Sequence, residues 1–226
     1  MNTTTPTARH LLFHLPSDWT NDQRGDFFET FVAEILRPMR FKVEQRLRVT
    51  GMEIDLLAKG LDQPRKVLVE CKAQRDALPA DTISKLLGNV AIRGADAGWL
   101  FSTSELSKDG RGQWEEIQSN PDLASKFAWY PPAKLIDILI DQGNVVDPLT
   151  MGPELSSLSR GDATLVCSPS GKKWLLEILE DGFPAFFSVF YGPTGAPVAE
   201  VQAAHIAKAS DRFASLTWIF AVEEFS

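Results

Sequence analysis

Between Phe41 and Gln74 the chain runs through three strand-forming stretches in succession, FKVEQRLRVT, MEIDLLAK and KVLVECKA, separated only by Gly51 and the turn-forming KGLDQPRK. In the first, Phe41, Val43, Leu47 and Val49 share one face and Lys42, Glu44, Arg46 and Arg48 the other, which is the period of a half-buried strand. Segments of helical period flank the three. Upstream, Phe27, Phe28, Phe31, Val32, Ile35 and Leu36 predict a helix over Asp22 to Arg37, capped by Ser17 or Asn21 and ended by Pro38. Downstream, Ile83, Leu86, Leu87, Val90 and Ala91 predict a helix from Pro79 to Arg93. A short strand GWLFSTS follows, then a helix over Gly110 to Gln118, a strand FAWY, and a helical AKLIDILIDQ introduced by Pro131 and Pro132. Strands on both sides of helices imply an α/β fold, a mixed sheet covered by helices.

A stretch rich in Pro, Gly, Ser and Asp from Asp147 to Gly161 marks a boundary, dividing a first domain, 1–146, from a small α+β domain, 147–226. In the latter, DATLVCSP, KKWLLEILED and PAFFSVFYG alternate with turn residues and point to a small antiparallel sheet, although KKWLLEILED also fits a short helix. Val198 to Asp211 reads as helix and LTWIFAV as a further strand. The net charge of −7 argues against a broad electrostatic nucleic-acid binder, but it is unevenly spread. Residues 1–145 hold 18 Lys and Arg against 20 Asp and Glu, and the remainder holds 5 against 10. No apolar run approaches the roughly 20 residues needed to cross a bilayer, and the start of the chain lacks the pattern of a secretory signal, so a cytoplasmic location is expected. Cys71 and Cys167 lie far apart in apolar segments, as reduced core residues would.

Chemistry concentrates where acids interrupt apolar strands. Asp55 sits in GMEIDLLAKG, and Glu70 and Lys72 in KVLVECKAQ. Period-two geometry sends Glu70 and Lys72 from one face and Glu53 and Asp55 from one face of the preceding strand, so pairing of the two strands brings the groups together. Adjacent carboxylates repel unless a cation lies between them. Mg²⁺, or Mn²⁺, is suited to two carboxylates plus a backbone carbonyl, here that of Cys71, with phosphate oxygens and water completing the shell. Lys72 beside them would orient or deprotonate an attacking water and stabilise the phosphorane oxygens. Hydrolysis of a phosphodiester is the reaction these parts suit.

With GDFFE at Gly25 to Glu29, EID at Glu53 to Asp55 and ECK at Glu70 to Lys72, the sequence resembles the Mrr-type branch of the PD-(D/E)XK nuclease superfamily. GADAGWLFSTSELSKDG resembles that family's helix end, strand and threonine-serine loop, so the likeness spans roughly residues 20–130. The resemblance implies a restriction-endonuclease-like fold and metal-dependent cleavage of double-stranded DNA, plausible in restriction or defence. It carries over Asp55, Glu70 and Lys72 as the catalytic triad, Glu29 as a helix acid supporting the site, and, more weakly, Gln74. A catalytically silent nucleic-acid-binding or assembly module on the same fold is the alternative. Nothing in the last third matches the family. Its acidity and aromatic content suit contact with a protein partner or a second copy of the chain, and a duplex break needs two cuts or two sites.

Other clusters have bland readings beside sharp ones. Arg37, Arg40, Lys42, Arg46 and Arg48 could position phosphates or simply form a solvated strand face. Ser102, Thr103 and Ser104 could touch a phosphate backbone or serve loop entry and capping. His10 and His14 have the i, i+4 spacing of a helical metal pair but no third ligand.

Overall fold

The computed structural model describes residues 8–49, 52–148, 158–180, 183–191, 193 and 218–220. The chain forms two compact units, Asp18–Leu135 and a second made of Met1–Ser17 with Ile136–Ser226.

The first unit opens with helix α1 (Asn21–Leu36). Its cap is Thr20, one residue from the expected Asn21, because Thr20 and Gln23 complete a reciprocal box. The Gln23 N–H donates to Thr20 Oγ1 at 3.2 Å and the Thr20 N–H to Gln23 Oε1 at 2.8 Å. Strands β2 (Phe41–Val49), β3 (Met52–Gly60) and β4 (Lys66–Lys72) then form an antiparallel meander. Helix α2 (Ala80–Arg93) leads to β5 (Ala97–Ser102), and α3 (Lys108–Ser119) with the single turn α4 (Pro121–Ala124) leads to β6 (Phe127–Tyr130). β5 and β6 both pair in parallel, and the sheet order is β2-β3-β4-β5-β6. This is the expected mixed sheet flanked by helices.

α1 lies against β2, β3 and β4 through Phe28, Phe31, Val32, Ile35 and Leu36, all buried. α2 places Ile83, Leu86 and Val90 into one core with Leu57, Leu68, Leu100 and Phe127 of the sheet and Ile117 of α3. Gly98 is required in that core, since a Cβ there would stand 2.7 Å from both Phe127 and Val90. α2 stops at Gly94, whose φ of 55° is the left-handed conformation that glycine adopts without strain.

In the second unit, β1 (Arg9–Phe13), β7 (Leu158–Ser168), β8 (Gly171–Glu180), β9 (Phe183–Tyr191) and β10 (Trp218–Phe220) form a sheet in the order β1-β7-β8-β9-β10. The expectation of an antiparallel sheet holds for β7, β8 and β9, but β1 joins β7 and β10 joins β9 in parallel. KKWLLEILED is a strand. Its ambiguity has a physical source: Trp174, Leu175 and Leu176 are buried in succession, as are Ala163 to Cys167 on β7, and a strand covered on both faces shows no alternation. Helix α5 (Pro132–Asp141) straddles the division between the units. The helix expected over Val198 to Asp211 lies outside the described residues. His10 and His14 do not share a helix face, because His10 stands in β1 and four extended residues span roughly 13 Å. His10 instead meets Asp162 at 3.0 Å. Among the described residues no helix is long and apolar enough to cross a membrane, and no disulfide joins Cys71 to Cys167.

Candidate active site

Apolar residues fix β3 and β4 side by side, with Leu56 opposite Val69, Leu57 opposite Leu68 and Ala58 opposite Val67. Leu56, Ala58 and Val67 are fully buried. The ladder ends at Leu56 and Val69, one step before Asp55 would face Glu70. There the Asp55 side chain takes over from the backbone, and its Oδ2 accepts the Cys71 N–H at 2.7 Å. A carboxylate in a hydrogen bond this short is held in both position and orientation.

Glu70 and Lys72 leave the same face of β4 and form an ion pair, with Glu70 the more buried of the two. Burial acts to lower the Lys72 pKa. The charge of Glu70, its hydrogen bond to the amine and the charge of Asp55 outweigh burial and hold the ammonium above its ordinary range. The Cys71 thiol feels every acid of the set. Burial raises its pKa well above the usual value, and Asp55, Glu29 and Glu70 each add to the rise while Lys72 opposes it. Glu29 is half-buried on α1, which packs against β4. A thiol so placed stays protonated, a poor nucleophile and poor ligand.

The donors gathered here are hard oxygens, the type a divalent cation with retained water prefers. Among the described residues no three His, Cys, Asp or Glu side chains close on one point as a metal cage would. Two carboxylates, with a main-chain carbonyl, are the donor set that fits a Mg²⁺-type ion.

Lys72 continues β4 to its last residue, opposite Ser102 of β5. Gln74 follows, exposed, its side-chain amide donating to the Asp76 carbonyl at 2.9 Å and its backbone tied to Thr103. Ser102 and Ser104 are buried, so neither offers its hydroxyl to a phosphate backbone. Ser102 Oγ donates to the Ser104 carbonyl at 2.8 Å and accepts the Trp129 indole N–H at 2.9 Å. In the basic cluster, Arg40 is engaged by Asp62 at 2.8 Å, whereas Arg37 and Lys42 are exposed. Arg46 and Arg48 belong to β2 and Glu53 to β3, but their side chains lie outside the described ones.

A mixed sheet with an aspartate on one central strand, Glu-x-Lys on the next and an acid-bearing helix beside them has the organisation of the restriction-endonuclease-like nucleases. Within that class, residues 21–125, just under half of the chain, match the Mrr_cat restriction endonuclease family model. No curated protein matches the chain. Among solved structures, the chain is similar to AF1548, a protein of unknown function, at 15% identity over 57% of this chain and 72% of that one, with a TM-score of 0.42. It is similar to the DNA modification-dependent restriction endonuclease AspBHI at 15% identity over 51% of this chain and 31% of that one, with a TM-score of 0.40. These structural likenesses are weak, and the assignment rests on the family match.

Proposed function

We propose that the Asp18–Leu135 unit is a metal-dependent endodeoxyribonuclease acting on double-stranded DNA. The observation that carries the reading is the locked Asp55, hydrogen-bonded at 2.7 Å to the backbone of the residue that separates Glu70 from Lys72. Asp55 and Glu70, with the Cys71 carbonyl, would hold Mg²⁺ or Mn²⁺. When bound, such an ion supplies Lewis acidity and lowers the pKa of water.

Lys72, paired with Glu70, would orient or deprotonate the attacking water and offset negative charge on the phosphorane oxygens. Glu29 supports the acid cluster from α1. Lys42, Arg46, Arg48 and Gln74 are the residues we assign to contact with the phosphate backbone, fixing register without reading sequence. Restriction or defence against foreign DNA is the role that fits such an activity. The acidic part, residues 147–226, would contact a protein partner or a second copy of the chain.

The test is cleavage of supercoiled plasmid by wild type and Lys72→Ala with Mg²⁺, Mn²⁺ or EDTA, run beside a DNA-binding assay. Metal-dependent nicking that vanishes in Lys72→Ala while binding persists supports the reading. Binding without cleavage by wild type under both metals favours a catalytically silent binding module.

A further inference from the structure

We infer that Thr103 is a positioning residue for the proposed cleavage: one residue just past the end of β5 that fixes the main chain on which Lys72 and Gln74 are mounted. The inference rests on the nuclease reading above.

β4 has no ladder partner to guide it beyond Lys72. The chain is held there by three hydrogen bonds to a single residue. The Thr103 N–H donates to the Lys72 carbonyl at 3.0 Å. Its hydroxyl accepts the Gln74 N–H at 3.0 Å and donates to the Gln74 carbonyl at 3.0 Å, with the Lys72 carbonyl a more distant alternative at 3.5 Å. A hydroxyl has one proton and two lone pairs, so this use of it as both donor and acceptor is nearly complete. β-Branching restricts the Thr103 χ1, which aims the hydroxyl at residue 74.

The loop that presents Thr103 is itself tied down. Its neighbour Ser102 is gripped by the Trp129 indole of β6 and by the Ser104 carbonyl. Further along, Leu78 N–H donates to the Glu105 carbonyl at 2.9 Å and Ser107 N–H to the Leu78 carbonyl at 2.8 Å. The segment from Arg75 to Ala77, all exposed, thus spans two fixed points, and the point beside the acids is Thr103. Thr103 is only half-buried and Gln74 is exposed, so water can replace the lost bonds and no part of the apolar core depends on the hydroxyl. Its loss should be felt in where Lys72 stands rather than in whether the domain folds.

The experiment compares wild type, Thr103→Val and Thr103→Ser by plasmid-cleavage kinetics, thermal melting and hydrogen exchange over residues 73–77. Val keeps the shape and removes the hydroxyl; Ser keeps the hydroxyl. The expected result for Thr103→Val is a kcat reduced roughly ten- to hundredfold with KM for DNA little changed, as for a small misplacement of a reacting group. Exchange at Gln74 should quicken by about tenfold, the equivalent of one lost hydrogen bond, with Tm nearly unmoved. Thr103→Ser should recover most of both kcat and protection. Unchanged exchange, or quickened exchange with wild-type kcat, overturns the inference, as does a fall in kcat matched by a large fall in Tm. Wild type that cleaves nothing while the exchange contrast stands removes the nuclease reading and Thr103's role in cleavage with it. Cleavage by wild type with no exchange contrast removes the Thr103 inference alone.

Discussion

Asp55 Oδ2 accepts the Cys71 N–H at 2.7 Å, at the point where the β3–β4 ladder gives out. One side chain thus replaces a backbone partner and supplies a carboxylate. The two duties separate on substitution. Asp55→Asn keeps an oxygen that can accept the N–H and removes the charge, so stability should hold while metal-dependent cleavage falls by roughly a hundredfold or more. Asp55→Ala removes both and should also cost about 1–3 kcal/mol, because the Cys71 N–H loses its acceptor in a partly buried setting. Urea unfolding of the two variants beside plasmid cleavage checks the separation. Equal stability loss in both would refute the structural half of the argument.

Lys72 is held above its ordinary pKa in the folded protein, so the sign of its linkage is fixed. The raised value means that folding stabilises the ammonium. This contribution is fully present below the unfolded value of about 10.4 and disappears as pH rises through the higher folded value. In EDTA, the stability difference between wild type and Lys72→Met should therefore be flat from pH 7 to 10 and shrink above that range. The amine is partly exposed, so the effect is below about 1 kcal/mol. Melting temperatures across pH, measured on both proteins, test it.

Gly98→Ala should destabilise the first unit without touching the site. The added methyl would lie 2.7 Å from Phe127 Cε1 and Val90 Cγ2, both in the core between α2 and the sheet. Overpacking of this kind costs about 1–3 kcal/mol. A lowered Tm with residual cleavage intact below the transition is the expected outcome, and an unchanged Tm would mean the core yields more easily than its packing suggests.

Thr20→Ala should remove about 1 kcal/mol by taking away the hydroxyl that accepts the Gln23 N–H, while the Thr20 N–H keeps its bond to Gln23 Oε1. Glu29 lies two turns further on in the same helix. If α1 is fixed mainly by its buried face, cleavage in Thr20→Ala stays near wild type, whereas Glu29→Gln lowers cleavage with little change in Tm. Measuring both quantities for both variants distinguishes a helix that is merely capped from one that delivers an acid.

Much of the first unit was legible in the sequence because its signals are local. Apolar alternation predicts β2, the runs around Asp55 and Glu70 predict β3 and β4, and Ile83, Leu86 and Val90 mark the buried side of α2. What escaped was set by partners distant in sequence. β1 has too few residues to announce itself, and only β7 explains it. β8 lacks alternation because its middle is covered on both faces. Thr103 stood among residues weighed for phosphate contact, but its grip on Gln74 depends on the parallel pairing of β4 with β5, which no single stretch encodes. The influence of Glu29 on the Cys71 thiol rests likewise on how α1 packs against β4, whereas the Glu70–Lys72 pairing follows from period two alone.

The parallel pairing of β1 with β7 also has a consequence for the order in which the protein is made. His10 and Asp162 meet across 152 residues, and Asp18–Leu135 is synthesised between them. As the chain leaves the ribosome, β1 emerges first and waits with an unsatisfied edge until β7 arrives, while the intervening unit can already complete its own sheet. Completion of the second sheet therefore waits for β7, more than 140 residues after β1. A chain cut off after residue 135 would carry the complete β2–β6 sheet together with an orphan strand β1.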